Sequence, residues 1–222
     1  MSNIDHILQA IKTNDNSKLN QIVSDNPLIA DMKTEQGISL LQFAAYCRNI
    51  SAVEILINHK KVELDIFEAT SIGDIRSVSK LINQNPELVN SFSTDGFTPI
   101  GLASFFGQIE IVKLLLSKKS NPNLAANNQF KVAPIHSACA ISNYEIAGLL
   151  IKSGADVNTK QMQGVTALHS AAHNGQTKLA KLLIDSGADI NATTDNGQTP
   201  LFMAEENHFD ETAELIKQSG GK

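Results

Sequence analysis

One short segment recurs along this chain at a nearly fixed step, and such a recurrence leaves few folds open. Thr98-Pro99-Ile100-Gly101-Leu102-Ala103, Thr166-Ala167-Leu168-His169-Ser170-Ala171 and Thr199-Pro200-Leu201-Phe202-Met203-Ala204 share one register, and Ala133-Pro134-Ile135-His136-Ser137-Ala138 falls between the first two. Ser39 to Ala44 is a weaker copy, and Ile7 to Ala10 and Ile66 to Ala69 keep the helix without the Thr-Pro turn. With the last Ala as marker the copies stand at 10, 44, 69, 103, 138, 171 and 204, in steps of 34, 25, 34, 35, 33 and 33. A period of this length marks a stacked array, in which each unit buries its apolar face only against its neighbours.

Each part of the repeat has a physical reason. Thr before Pro suits a helix start, where Pro fits the first turn and the Thr hydroxyl caps a free amide. Small Ala residues let that first helix sit close to its neighbours. A second helix follows, as in Ile109 to Leu116, with apolar residues at helical spacing. Gly154, Gly187 and Gly220 then end it in the left-handed conformation that a Cβ disfavours. Asp95-Gly96 and Asn196-Gly197 are turn dipeptides for the tip of a hairpin.

These motifs resemble the ankyrin repeat, whose signature is Thr-Pro-Leu-His-x-Ala, and the likeness covers essentially the whole chain. Many bacterial single-chain members look similar, particularly around Asp65 to Ala103 and in the later repeats. The resemblance implies an all-α solenoid of about seven stacked helix-turn-helix units with short β-hairpin turns. On this reading residues 1–222 are one domain: a cap repeat at 1–34, degenerate repeats at 35–65 and 66–92, regular repeats over 93–192, and a second cap at 193–222. Both end helices carry polar residues around their apolar stripe, as caps do, which leads to the expectation that the chain is complete.

The departures from regularity are informative. The 25-residue step between Ala44 and Ala69 removes most of one hairpin, predicting a kink or altered stacking near residues 60–66. Asn26-Pro27 and Asn85-Pro86 replace the glycine turn, and Lys119 stands where a terminating glycine belongs. The segment between Asn123 and Pro134 is two residues longer than its later counterparts, so the turn at 127–131 should bulge.

Composition narrows the function. The chain is 42% hydrophobic and 18% charged, with a net charge of −5 and no Trp. That balance fits a globular core of Leu, Ile, Val and Ala, and gives no basic stripe for a nucleic acid. Met1 to His6 has no export pattern, and no run approaches the roughly 20 apolar residues of a bilayer span. Cys47 and Cys139 offer no disulfide or metal framework, which fits a reducing cytoplasm.

Chemistry-bearing patterns are sparse. His169 and His173 lie four apart on one helix, the spacing of a metal pair, but lack a following Glu and a third ligand. His169 and His136 both occupy the signature position, which resembles the family's structural histidine bonding adjacent turns. Cys139 reads as a buried inert thiol, and Cys47, beside Arg48, as a more exposed one, with reactivity the lesser alternative. There is no phosphate loop and no nucleophile elbow, so the chain reads as non-enzymatic, with no cofactor and no metal.

The resemblance places partners on the hairpin tips and the exposed face of each first helix. Carried over residue by residue, this gives Tyr46, Ile72, Phe97, Phe105, Phe106, Phe130, Ile141, Met162, His173, Asn174 and Glu206 as partner-binding candidates. Phe97, Phe105, Phe106 and Phe130 fall at positions expected to face solvent, and an exposed aromatic cluster marks an interface. The alternative is that the 127–131 turn folds over Phe105 and Phe106 as a local core. The expected function is a monomeric, cytoplasmic protein-interaction module binding a protein partner. A secreted effector acting on host proteins is the second reading, and an enzyme or metal protein the third.

Overall fold

The computed structural model describes residues 3–222; Met1 and Ser2, the start of the expected N-terminal cap and of the segment read for export, lie outside it. Fourteen helices form among the described residues, alternating first and second members of seven pairs. Six of the seven first helices are only seven residues long, and a residue one or two places past the end of each first helix turns left-handed. Those residues are Asn14, Arg48, Gly73, Gly107, Ser142, Gly175 and His208, and their steps of 34, 25, 34, 35, 33 and 33 repeat the spacing read from the Ala markers. Polar side chains cap many of the starts. Ser39, Thr98 and Thr199 each accept a backbone N–H of the first turn, and Pro99 and Pro200 follow where their missing N–H costs nothing.

The chain divides into two compact units. Unit 1 comprises residues up to Asn85 together with Ser93–Asp95. It contains α1 (Asn3–Lys12), α2 (Asn16–Asp25), α3 (Leu40–Tyr46), α4 (Ile50–His59), α5 (Ile66–Ile72) and α6 (Ile75–Gln84), plus a 3-10 turn at Pro27–Asp31. α2 packs on α4, and α3 on both α4 and α5. Ile7, Ile11, Leu19, Val23, Leu40, Leu41 and Leu56 interlock as a core between them.

The shortened step lies here, and it is held by charge. The Asp31 carboxylate accepts the amides of Lys61 and Val62 at 3.1 and 3.2 Å and meets the Lys60 ammonium at 3.2 Å. Lys60 also meets Glu68 at 3.1 Å, while the other Glu68 oxygen accepts the Asp65 amide to complete a capping box. Burial works to raise the Asp31 carboxyl, but the two amides and Lys60 outweigh it and hold it below the usual carboxylate range. The 60–66 segment is thus an anchored link between α4 and α5.

Unit 2 comprises Pro86–Phe92 and Gly96–Lys222. Its first helices are α7 (Pro99–Phe105), α9 (Pro134–Ala140), α11 (Ala167–His173) and α13 (Pro200–Glu206), stacked in that order. Its second helices, α8 (Ile109–Ser117), α10 (Tyr144–Lys152), α12 (Thr177–Asp185) and α14 (Asp210–Gln218), form the other layer. A ladder of asparagines ties successive repeats. Asn123 donates to Gly154 O at 2.8 Å and accepts the Asp156 amide at 2.7 Å. Asn158 does the same with Gly187 and Asp189, and Asn191 with Gly220 and Lys222. Lys119 takes a left-handed φ of 65° where later repeats carry glycine, and α8 still closes at Ser117.

The expected hairpins are simpler than read from sequence. The tips are closed turns, as between Thr194 N and Gln198 O at 3.0 Å or Gln161 N and Val165 O at 2.9 Å, without ladders of strands. Among the described residues the one β pairing outside such turns is an isolated bridge between Lys33 and Ser39. The arms leave the tip after a single pair and enter a helix cap, so no strand has room to extend.

Candidate functional site

In unit 2 the hairpin tips are linked in sequence by backbone bonds. Asn127 N donates to Gly96 O at 2.7 Å, Met162 N to Phe130 O at 2.9 Å, and Asp195 N to Gln163 O at 2.9 Å. The enlarged turn forms where expected, closed by Ala126 N to Val132 O at 2.9 Å. Inside it Asn128 Oδ1 accepts the Phe130 amide at 3.0 Å, and Lys131 adopts φ 50°. The turn aims Phe130 outward, leaving it 43% exposed, and Met162 on the adjoining tip is 41% exposed.

The other aromatics behave differently. Phe97, Phe105 and Phe106 are half-buried, so the expectation that all four rings face solvent holds for Phe130 alone. Phe105 and Phe106 meet edge to face with ring centroids 5.1 Å apart, and each covers part of the other. Ile141, just past α9, is half-buried and lies close over the backbone of Gly107. His173, Asn174 and Glu206 are exposed at the ends of α11 and α13. His173 Nδ1 accepts from the Asn207 amide at 3.2 Å, and Asn174 donates to Ser170 O at 3.0 Å.

Two candidates lie in unit 1. Ile72 ends α5 half-buried. Tyr46 ends α3, and its hydroxyl donates to Asp95 Oδ2 at 2.7 Å while accepting from Gln42 Nε2 at 3.2 Å. Burial, with the Asp95 charge second, pushes the phenol well above its ordinary range. The hydroxyl is committed to an internal network.

The signature histidines are structural in detail. His136 Nδ1 accepts the Ala133 amide at 3.2 Å, and its Nε2 donates to Thr159 O, in the next turn, at 3.0 Å. His169 repeats the arrangement with Thr166 and, through Nε2, with Gln198 O at 3.0 Å. Burial lowers both, His136 to about 4. With both ring nitrogens engaged, His169 has none to offer a metal beside His173. Burial pushes Cys139 up to about 12. Burial raises Cys47 as well, against the pull of Lys12, which favours the unreactive reading of that thiol.

Sequence reasoning confined to tips and first helices did not single out Leu28, Met32, Ile57 and Val62, large apolar residues that unit 1 leaves exposed. The Asn-Pro pair recurs two repeats further on, at Asn85-Pro86, where Glu87 stands at the place of Leu28.

Paired helices in register, an asparagine ladder and histidines bridging consecutive turns define a helical-repeat protein. The model for ankyrin repeats, in three copies, matches residues 66–161 and 135–222, and the chain belongs to that family. It is 31% identical over 130 residues to the rat Ankyrin repeat and SAM domain-containing protein 6, covering 56% of this chain and 14% of the relative. It is 35% identical over 101 residues to the human Transient receptor potential cation channel subfamily A member 1, covering 45% and 9%. Over 128 residues it is 29% identical to the Caenorhabditis elegans Ankyrin repeat and KH domain-containing protein mask-1, covering 55% and 5%. The chain therefore spans a small part of each of these relatives. Among the described residues no helix is long and apolar enough to cross a membrane.

Proposed function

We propose that this chain is a non-catalytic, cytoplasmic protein-binding module, monomeric and acting as one repeat domain. Its main contact surface runs along the tips and first-helix ends of unit 2. The observation that carries this reading is the pair Phe130 and Met162, large apolar side chains more than two-fifths exposed on adjoining, backbone-linked tips. Aromatic and Met side chains are the anchors on which interface energy concentrates, and repeat-bonded tips present them with little ordering entropy to lose. Ile141, His173, Asn174 and Glu206 supply a more polar margin toward the C-terminal repeats, and Glu206 lends selectivity for a cationic group.

The test is affinity capture from native lysate with wild type beside Phe130→Glu. A partner lost at least tenfold by the variant, with melting temperature unchanged, supports the reading. Retention of every captured protein by the variant overturns it.

A further inference from the structure

Gln129-Phe130, Met162-Gln163 and Asp195-Asn196 are the same two positions of three successive tips, each followed by a residue of left-handed φ: Lys131 at 50°, Gly164 at 73° and Gly197 at 77°. Main-chain bonds hold the three tips in line, Met162 N donating to Phe130 O and Asp195 N to Gln163 O, each at 2.9 Å. All six side chains are exposed. The primary amides of Gln129, Gln163 and Asn196 meet no hydrogen-bond partner among the described residues. Amides elsewhere in unit 2 are committed to the fold: Asn123, Asn158 and Asn191 tie successive repeats, and Asn143 caps α10.

An amide side chain carries donors and an acceptor on one head. Its complement is a group with donor and acceptor side by side, which every non-proline residue of main chain supplies. In a helix those groups bond one another, so a docked helix leaves the amides without partners. A segment with no internal hydrogen bonds presents both kinds. The charges agree with this. Asp195 is the one charge among the six positions, and Lys131, next after Phe130, has the opposite sign. Lys160, at the base of the middle tip, is engaged with Thr193 O at 3.2 Å. The row therefore lacks the cationic cluster that selects a phosphate or an acidic stretch.

Spacing sets the length of the occupant. The first helices α9, α11 and α13 pack in succession, an interaxial step of about 8–10 Å. Extended chain rises about 3.1–3.4 Å per residue, so one repeat step matches about three residues. Three tips then span about six residues. Phe130 and Met162 are joined by a single backbone bond, so the two bound one apolar seat.

Resting on the tip reading above, we infer that the partner enters this surface as an extended segment of about six residues carrying one large apolar side chain. That side chain seats between Phe130 and Met162, and the amides of Gln129, Gln163 and Asn196 bond the main chain around it. Recognition of this kind reads backbone and one anchor, tolerates varied side chains elsewhere, and depends little on salt.

The probe is a displayed library of linear random peptides, selected on the full chain and counter-selected on Phe130→Glu. The expected clones share one large apolar residue and bind the Gln129→Ala/Gln163→Ala double variant about tenfold more weakly. Their affinity should change less than about twofold between about 50 and 500 mM salt. Both glutamines are exposed, so the double variant keeps the wild-type melting temperature. Synthetic versions of the best clone then separate main chain from side chain. N-methylation of a main-chain amide two to four residues from the anchor should cost about tenfold at one position or more, where alanine costs less than about threefold. No clone lost on Phe130→Glu, clones indifferent to the double variant, alanine effects larger than N-methyl effects, or clones tightened by a helix-inducing staple each overturn the inference. Its failure is distinct from that of the tip reading. A lysate partner that Phe130→Glu releases, with no linear clone obtained, means that the tips hold a folded surface, which keeps the first proposal and removes this one.

Discussion

Lowering the pH from 7.5 to 5.0 should destabilise this protein chiefly through His136. Its Nδ1 faces the Ala133 amide as an acceptor, and its Nε2 hydrogen is directed at Thr159 O. A second proton would have to enter at Nδ1, against an N–H already pointing there, inside a site that water does not reach. Burial accordingly lowers the ring to about 4. An unfolded histidine titrates near 6.5. As pH falls below that value the unfolded chain takes up a proton that the folded chain refuses, so stability falls with pH until the folded value is reached. The loss is about 2 kcal/mol by pH 5.0 and approaches about 3 kcal/mol below pH 4. His169, lowered by burial in the same way, acts in the same direction.

Carboxylates do not mimic this effect. Asp31 and Asp74 are held below their ordinary values, so their contribution is lost only as pH falls through the range under 3.8. The assay is urea unfolding followed by circular dichroism at pH 7.5, 6.5, 5.5 and 5.0, for wild type and His136→Asn. The Asn oxygen keeps an acceptor for the Ala133 amide and does not titrate. Wild type should lose about 2 kcal/mol more than the variant over this range, or about 4–8 °C in melting temperature. Parallel pH profiles for the two proteins, or a wild type that gains stability on acidification, would refute the reasoning.

Three further outcomes follow from the geometry. Lys60→Ala strands two carboxylates, Asp31 and Glu68, in a nearly closed site, and should cost about 3–5 kcal/mol by denaturant unfolding. Gly175→Ala should lower the melting temperature by several degrees, because a Cβ at φ 63° would overlap the Phe209 ring. Arg48→Gly should raise stability by about 0.5–1 kcal/mol, since Arg48 holds a φ of 54° where later repeats use Gly73, Gly107 and Gly175.

Much of this molecule was legible because its repeats report on one another. The Ala markers and the left-handed residues share one series of steps, so locating one located the other. The asparagine ladder was equally accessible, since Asn158 and Asn191 follow the same Gly-Ala-Asp run. What could not be read was the response of a site to its own irregularity. Pattern alone assigns Phe105 and Phe106 to an outer face, but not that the two rings shield each other. The missing hairpin at residues 60–66 announced altered stacking without announcing the ion triad that replaces it. Asp31 and Lys60 are brought together by packing, at a separation no local rule covers.

That asymmetry bears on where function lies. In an array whose units share one blueprint, a side chain that departs from its counterpart is not explained by the blueprint. Phe130 sits on the one enlarged tip of unit 2, and Leu28 and Val62 flank the one shortened step of unit 1. Neither position is apolar by necessity, since Glu87 and Asn121 stand in unit 2 where unit 1 has Leu28 and Val62. Each instead exposes large apolar surface on a backbone fixed by its own hydrogen bonds. A mobile loop would bury such residues against itself; a pinned one holds them out for a partner. Rigidity at an exposed apolar position is thus the physical condition on which the Phe130 surface depends. Amide hydrogen exchange should show Lys61, Val62 and Met162, whose N–H groups make these bonds, protected beyond ordinary surface turns. Exchange at those amides as fast as in unbonded turns would remove that condition.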